Sequence, residues 1–455
     1  MRVLLLNPPA ERTTFRDGYC SSSSKSGYCW QPLDLLAQSG SLSAAGHTLA
    51  FIDAIGARLS PEAALARAVA FAPEVIVGLI GDASLAGDVR FYRRLLRALD
   101  RRAAPRLVLS GDVARFEPDR AFREVPGLDA VLVDFATDGV SRWLDGEALP
   151  EGLRFPDGRA APVTGRAWSA PTARHDLLPA RGYRLPFHGG LPFASVLASY
   201  GCPFRCTFCN TGELGYRVRP VDEALAEFEA VAALGYRRVY LRDATANGHR
   251  RSLLELCRAL APTSRRDLGL RWNTFCTVLP FDAELAHAMA RAGCAVVQFG
   301  IESGSAVHRK RSGKPFDNDV VDAAVRVARE AGLQVCGHFV LGLPGEEADD
   351  VRATIDYACA LDLDWASFNL AAARPGTILR AEADRQGLPG GDASGDGFVA
   401  GLAHVEPQVL RRLKRDALLR FYARPRALRA MLPDLSTRAG WSALTAAGRA
   451  LVASF

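Results

Sequence analysis

Two long stretches of this chain alternate short, largely apolar runs with helix-periodic segments, and nothing else in the sequence restricts the fold as much. In the first stretch the runs are Val3–Leu6, Thr48–Ile52, Val75–Leu79, Leu107–Leu109 and Ala130–Val133. Helical patterns near 34–45, 61–72, 85–101 and 116–125 separate them. Continuous apolar runs of this length read as strands buried on both faces, the habit of parallel sheets. Their alternation with helices predicts a doubly wound, Rossmann-like α/β sheet, whose ligands sit beyond the carboxyl ends of the strands. The loops at 7–33, 80–88, 110–115 and 134–139 would line that edge.

The second stretch repeats the pattern. Candidate strands are Val196–Ser199, Arg238–Leu241, Leu270–Asn273, Val296–Gly300, Val335–Leu341 and Trp365–Leu370. Helical patterns fall at 221–234, 282–292, 318–331 and 347–361. Six strand–helix units predict a partial (β/α)6 barrel, with functional groups at the carboxyl ends of its strands. Four regions follow: a doubly wound domain at 1–145, a Pro/Gly/Arg-rich linker at 146–190, a barrel at 191–400 and a small helical region at 401–455. Within the last, 405–432 reads as one or two basic amphipathic helices.

Composition excludes several classes. A chain of 455 residues with 49% hydrophobic and 23% charged residues is an ordinary globular protein, not a disordered one. Its net charge of +6 comes from scattered arginines, which read as a solvated surface, so no nucleic-acid partner is expected. There is no run of about 18 apolar residues, so no transmembrane segment is expected. The opening Met-Arg-Val-Leu-Leu-Leu-Asn-Pro-Pro reads as a buried strand and not a secretory signal, and a cytoplasmic location follows.

Ten cysteines in a reducing compartment do not make a disulfide framework. Cys257, Cys294, Cys336 and Cys359 sit singly in apolar segments and read as small buried hydrophobes. Cys20 and Cys29 lie in a polar loop. Cys202, Cys206 and Cys209 form the tight cluster, in Ala-Ser-Tyr-Gly-Cys202-Pro-Phe-Arg-Cys206-Thr-Phe-Cys209-Asn, just after an apolar run. Three soft thiolates on one loop suit an iron–sulfur cluster or zinc. A structural zinc site would want a fourth ligand, and no second Cys or Cys/His pair follows at the usual distance. A chance cluster of buried cysteines is the third reading, against which stand the intervening Pro, Arg and Thr. On the iron–sulfur reading one iron lacks a protein ligand and is open to a small molecule.

This loop, with Phe208 before its last cysteine, resembles the signature of the radical S-adenosylmethionine (SAM) superfamily. Phe299-Gly-Ile-Glu-Ser-Gly-Ser305 resembles that superfamily's strand-end glycine motif, His338-Phe-Val-Leu-Gly-Leu-Pro-Gly-Glu346 its fifth-strand motif, and Arg374-Pro-Gly-Thr377 the element after its sixth strand. The resemblance implies a 4Fe–4S cluster on Cys202, Cys206 and Cys209 that reductively cleaves SAM to a 5′-deoxyadenosyl radical. It implies SAM contacts at Phe208, Asp243, Gly300, Ile301, Glu302, Ser303 and Gly304, with Glu302 the best polar candidate. A helix N-cap is the competing reading of Asp243. A reductant such as flavodoxin or ferredoxin is implied as a partner, beside a small-molecule substrate. No catalytic side chain is assigned.

A doubly wound domain ahead of such a barrel resembles the cobalamin-binding class of the superfamily. Met1–Pro9 resembles its opening strand, Leu107-Val-Leu-Ser-Gly-Asp112 the strand and turn at the nucleotide tail, and Phe421-Tyr-Ala-Arg-Pro425 the tail of the class. Cobalamin contacts are implied at Asn7, Pro8, Asp82, Ser84, Ser110, Gly111 and Asp112, with the loop Gly81–Gly87 facing the lower side of the corrin. Many relatives carry Gly-Gly and a nearby His at 110–112, and Gly-Glu at 134–138; this chain does not. It has no Asp-x-His-x-x-Gly, so a bound cobalt would lack a histidine from that motif. The long segment 16–32 is expected to close over cofactor or substrate through Tyr19, Lys25, Tyr28 and Trp30. Together these features imply cobalamin-dependent methyl transfer to an unactivated carbon. The alternatives are a cyclase, oxidase or rearrangement enzyme with a divergent first domain, or a non-catalytic iron–sulfur electron carrier or sensor.

Overall fold

The structure is a computed structural model that describes residues 1–19, 21–24, 28–99, 104–163, 168–179, 182–183, 191–262, 267–388, 401–435 and 441. The chain divides into two compact units, Met1–Leu185 with Pro192–Ser195, and Pro186–Leu191 with Val196–Phe455.

The first unit runs β1 (Arg2–Asn7), β2 (Thr14–Arg16), β3 (Ser21–Ser23), α1 (Leu33–Ala44), β4 (Thr48–Asp53), α2 (Pro61–Phe71), β5 (Val75–Leu79), α3 (Leu85–Ala98), β6 (Arg106–Ser110), α4 (Asp112–Phe116), α5 (Pro118–Glu124), β7 (Ala130–Leu132), α6 (Gly139–Leu144) and β8 (Leu153–Arg154). Its sheet has the order β4-β1-β5-β6-β7-β8. All pairs are parallel except β7 with β8. Four of the five apolar runs are buried as expected, with Val3, Leu4, Leu5 and Leu6 showing no exposed surface, whereas Thr48–Ile52 forms the edge strand β4, where Thr48 is exposed and Leu49, Ala50 and Phe51 are half-buried. Tyr92 and Leu95 of α3 and Ala64 and Ala68 of α2 pack in the same core as Leu4, Ile76 and Leu107. Each fully buried leucine stabilises by about 1.5–3 kcal/mol. Helix α2 starts where Ser60 accepts a hydrogen bond from the Ala63 amide ahead of Pro61. The sheet order reverses at β1, so the switch point, where such folds take their ligands, lies between the carboxyl ends of β1 and β5.

Three local expectations change. The helical stretch at 116–125 is two short helices, because Pro118 has no N–H with which to continue α4. The stretch read as a linker supplies β8, the antiparallel edge strand. The long loop at 16–32 is partly ordered as an antiparallel pair, β2 with β3.

The second unit runs β9 (Ala194–Val196), β10 (Ser199–Gly201), β11 (Tyr216–Val218), α7 (Val221–Ala233), β12 (Arg238–Leu241), α8 (Arg250–Leu260), β13 (Arg271–Cys276), α9 (Ala283–Arg291), β14 (Cys294–Glu302), α10 (Ala306–Arg311), α11 (Asn318–Glu330), β15 (Gln334–Leu341), α12 (Ala348–Ala360), β16 (Trp365–Leu370), α13 (Ile378–Arg385), α14 (Pro407–Tyr422) and α15 (Pro425–Leu435). The sheet order β9-β12-β13-β14-β15-β16 follows the chain, and its first and last strands are not paired. This is the expected partial (β/α)6 barrel, with two C-terminal helices packed at its β16 edge. Phe421 of α14 packs edge-on against Phe368 of β16. Arg424 donates to the carbonyls of Cys359, Leu361 and Leu363, and so ties the junction of α14 and α15 to the end of α12.

The expected first barrel strand, Val196–Ser199, is broken. β9 ends at Val196, and Ser199–Gly201 pairs instead with Tyr216–Val218 as a two-stranded ribbon. No helix among the described residues is long and apolar enough to cross a membrane.

Candidate functional site

The ribbon β10–β11 presents the cysteine loop. Gly201 has φ +73°, and a Cβ there would lie 1.7 Å from the Gly215 carbonyl, so only glycine lets the two strands meet just before Cys202. The loop then turns on itself, with the Cys209 amide bonded to the Cys206 carbonyl at 3.0 Å. Two outside segments hold it. The Thr207 amide donates to the Ser312 carbonyl at 3.1 Å, and the Leu379 amide donates to the Thr207 carbonyl at 2.9 Å. Phe208 packs on an apolar cluster of Leu343, Ala371, Ala373 and Leu379, which anchors the loop to the barrel.

The three thiols are partly exposed, whereas Cys257, Cys276, Cys294 and Cys336 are buried and Cys359 only partly so. Burial pushes the Cys202 thiol up to about 11 and the Cys206 thiol up to about 12. Metal binding must therefore displace protons from these sulfurs. Among the described residues no three His, Cys, Asp or Glu side chains converge as a site for one metal ion. Thiolates that each ligate a different iron of a cubane need not converge on one point. The donor set, three soft sulfurs on one exposed loop, fits such a cluster.

Asp243 follows β12 and is buried. Its Oδ1 accepts from the Ala198 and Ser199 amides at 2.8 and 3.0 Å, and its Oδ2 from the Ser199 hydroxyl at 2.8 Å. It is not a helix N-cap: it clamps the connection between β9 and β10, upstream of the cysteine loop. Burial raises its carboxyl to about 6.

Glu302 ends β14 at a register shift, with φ +69° and little exposure. Its Oε1 is 2.5 Å from Lys314 Nζ, and that ammonium also donates to the Gly300 carbonyl at 2.8 Å. A Cβ on Gly300 would sit 2.5 Å from both Glu302 Oε1 and Lys314 Nζ, so the pair needs that glycine. The rest of the motif turns into the scaffold. Ile301 is buried, and the Ser303 hydroxyl bonds Glu346 and Thr354. The Gly304 amide donates to Thr354 Oγ1 at 2.9 Å. Glu346 also accepts from the Gly342 and Leu343 amides, and burial raises its carboxyl to about 7.

Sequence reading missed Lys314 and a polar row across the barrel strands. His338 Nδ1 and Ser367 Oγ lie 2.7 Å apart, and His338 Nε2 and Gln298 Oε1 3.1 Å apart. The Phe275 ring lies 4.7 Å from the imidazole. Burial lowers His338 to about 4, so the ring is uncharged near neutrality. Asn273, fully buried on β13, has neither end of its amide hydrogen-bonded. Isolated polar residues in Ala-Val-Val-Gln298 and Val-Cys-Gly-His338 were the available signal.

In the first unit the residues expected at the sheet edge are brought together, but mostly by the chain's own hairpin. Arg16, from β2, enters the switch point. Its guanidinium bonds both oxygens of Asp88 at 2.7 and 3.0 Å, Asn7 Oδ1 at 2.8 Å, the Pro8 carbonyl at 2.9 Å and Ser84 Oγ at 2.8 Å. Asp112 accepts from the Ser21 amide and hydroxyl at 2.8 and 2.6 Å and from the Asp82 amide at 3.1 Å. Ser110 Oγ donates to Asp34 Oδ2 at 2.5 Å. Gly111, at φ +109°, abuts the Ile80 carbonyl. In the first turn of α3, a Cβ on Gly87 would meet nothing within 4 Å. In the segment expected to close over a ligand, Trp30 stacks on Phe15 at 3.4 Å. Tyr19 is buried edge-on to Phe135, and Tyr28 is partly exposed. Lys25 and Cys20 lie outside the described residues.

Residues 196–358, from the end of β9 into α12 and including the cysteine loop, match the model of the radical SAM superfamily. Over those residues the barrel unit carries the superfamily's domain pattern. Over 448 residues it is 28% identical to an uncharacterized methyltransferase of Pyrococcus horikoshii, covering 94% of each protein. Among solved structures it resembles TsrM of Kitasatospora setae, a radical SAM methyltransferase with cobalamin and a 4Fe–4S cluster bound. That likeness has TM-score 0.67 and 20% identity, over 85% of this chain and 75% of that one. It also resembles OxsB, a cobalamin-dependent SAM radical enzyme, with TM-score 0.69 and 13% identity, over 97% of this chain and 72% of that one. At these identities the two structures share a fold with this chain. The match spans the doubly wound unit as well as the barrel.

Proposed function

We propose that this chain is a cobalamin-dependent radical SAM enzyme that transfers a methyl group to an unactivated carbon of a small molecule. One observation carries the reading: a doubly wound unit precedes a cysteine-loop barrel, and 94% of both chains aligns with a protein named a methyltransferase. When bound, the cluster supplies one electron for cleavage of SAM, and cobalamin supplies a methyl carrier. The protein's share is to hold and position these groups and to exclude water.

Cys202, Cys206 and Cys209 would hold the cluster, leaving one iron for SAM. Glu302 and the Gly300 backbone stand at the strand end where the sulfonium compound would lie, and Asp243 and Phe208 keep the loop in place. The neutral His338, with Gln298 and Ser367, would present uncharged hydrogen-bonding groups to a substrate. In the first unit the segment Gly81–Gly87 carries Ala83, Ser84 and Ala86 beside Asp82 and Leu85, and the open space at Gly87, in the first turn of α3, leaves room for the approach of a flat macrocycle. Its described histidines, His47 and His175, lie on none of the loops at the carboxyl edge, which fits a cobalt without a protein imidazole. A small reducing protein such as flavodoxin or ferredoxin would deliver the electron, and no nucleic acid is required. The cyclase, oxidase or rearrangement reading is not favoured.

The test is anaerobic purification and reconstitution with iron, sulfide and hydroxocobalamin, followed by incubation with SAM carrying a labelled methyl group. Four irons and one cobalamin per chain, with 5′-deoxyadenosine formed on reduction, are expected. A protein that assembles the cluster and cleaves SAM yet retains no cobalamin would overturn the methyl-transfer reading.

A further inference from the structure

Lys314 lies outside every motif that identified the barrel, yet the fold places it with care. Helix α10 ends at Arg311, and the chain turns through Ser312 and Gly313. Gly313 has φ +82°, and a Cβ there would lie 2.8 Å from the Arg205 carbonyl and 3.3 Å from Cys206 Cα. The Ser312 carbonyl accepts the Thr207 amide, so this turn is backed directly onto the cysteine loop. The Lys314 amide donates to the Arg309 carbonyl at 2.9 Å, which fixes where its side chain begins. The side chain is 17% exposed and its partner Glu302 is 8% exposed, so the ammonium and carboxylate face each other largely out of water. Two of the three ammonium donors are spent, on Glu302 and the Gly300 carbonyl. The positive charge also acts on the sulfurs, lowering the proton affinity of Cys206 against the dominant effect of burial.

We propose that Lys314 is an electrostatic positioning residue for the cluster, whose charge favours the reduced state and whose strength is set by its ion pair with Glu302. This deepens the proposed function and rests on the cysteine loop being a cluster site. A cluster gains negative charge on reduction. A fixed cation held in a partly desolvated site therefore stabilises the reduced form, and a nearby carboxylate opposes it. Cation and anion at one site predict shifts of opposite sign, a pattern that mere structural support does not produce.

The test measures the reduction potential of the reconstituted cluster without SAM, by anaerobic spectroelectrochemistry, with iron content counted in every sample. In Lys314→Met the ratio of reduced to oxidised cluster at a fixed potential should fall about tenfold, which is about 59 mV for a one-electron couple. Glu302→Gln should shift the ratio the other way, Lys314→Arg should stay near the parent, and the double variant Lys314→Met/Glu302→Gln should lie between the two single variants. If Lys314→Met fails to hold iron, the opposed pair Glu302→Gln and Lys314→Arg still decides. Unchanged potentials in iron-replete variants, or shifts of the same sign in Lys314→Met and Glu302→Gln, would overturn the proposal. Failure of the parent protein itself to assemble a cluster would instead overturn the reading on which it rests.

Discussion

Replacing Arg16 by Met probes the centre of the first unit. The Arg16 and Asp88 side chains have no exposed surface, and the guanidinium reaches Asp88, Asn7, Ser84 and the Pro8 carbonyl at once. Methionine nearly matches the volume of the aliphatic stem but leaves Asp88 as a buried charge without its counter-ion. Breaking a buried pair from one side costs about 3–5 kcal/mol. For a unit of this size, about 2–4 °C is lost per kcal/mol, so its melting temperature should fall by about 6–20 °C. Removing both charges, in Arg16→Met/Asp88→Leu, should recover most of that loss, because no uncompensated charge remains. Calorimetry on cofactor-free protein at neutral pH, following the transition of the first unit, makes the measurement. Burial already raises the Asp88 carboxyl against the pull of Arg16. The single variant should therefore be relatively more stable in acid, where the orphaned carboxyl protonates. A loss below about 1 kcal/mol, or a double variant no more stable than the single one, would refute the argument that this network is a coupled ion pair under strict burial.

Four further expectations are independent of that one. The triple variant Cys202→Ala/Cys206→Ala/Cys209→Ala should lose the brown chromophore and 5′-deoxyadenosine formation; near four irons per chain in that variant would contradict the cluster assignment. Gly313→Ala should cost about 1 kcal/mol or more through its positive φ and its contact with Cys206, and should lower iron retention, read by iron assay after desalting. Glu346 has its carboxyl raised from 4.5 to about 7, so the folded chain holds a proton that the unfolded chain releases. Its contribution, roughly 3 kcal/mol, is complete below about pH 4.5 and is lost as pH rises through 7, so Glu346→Gln should flatten the fall in stability between pH 5 and 8 measured by urea unfolding. The Co(II) state of the cobalamin-loaded protein should give an EPR spectrum without nitrogen superhyperfine splitting; its presence would place an imidazole on the cobalt.

Much of this molecule was legible from residue order. Both sheets were readable because a parallel strand buried on two faces must be apolar throughout, and Val3–Leu6, Val75–Leu79 and Val335–Leu341 carry that signature. The cysteine loop was readable because its chemistry depends on spacing within eight residues. What escaped was whatever depends on partners far apart in the chain. Pairing of Ser199–Gly201 with Tyr216–Val218 reflects a glycine at φ +73° meeting a carbonyl fourteen residues on, which no periodicity announces. Asp243 read as a SAM contact with a helix cap as the competing reading, and the hydrogen bonds it accepts from the Ala198 and Ser199 amides required the barrel to exist first.

The sequence by itself determined that the chain would build two successive strand–helix units and carry a three-thiol loop at the head of the second. Local propensity, burial pattern and short spacing suffice for that. Only the tertiary structure decided which charges face each other. Arg16 looked like one surface arginine among many until the hairpin carried it to the switch point of the first sheet, where Asp88 awaited it 72 residues away. Lys314 drew no assignment from sequence; the turn at Gly313 backs it onto Cys206 and sets its ammonium between Gly300 and Glu302. Charge leaves no periodic trace in a sequence, because its energy depends on distance and burial in space, and these are properties of the folded chain.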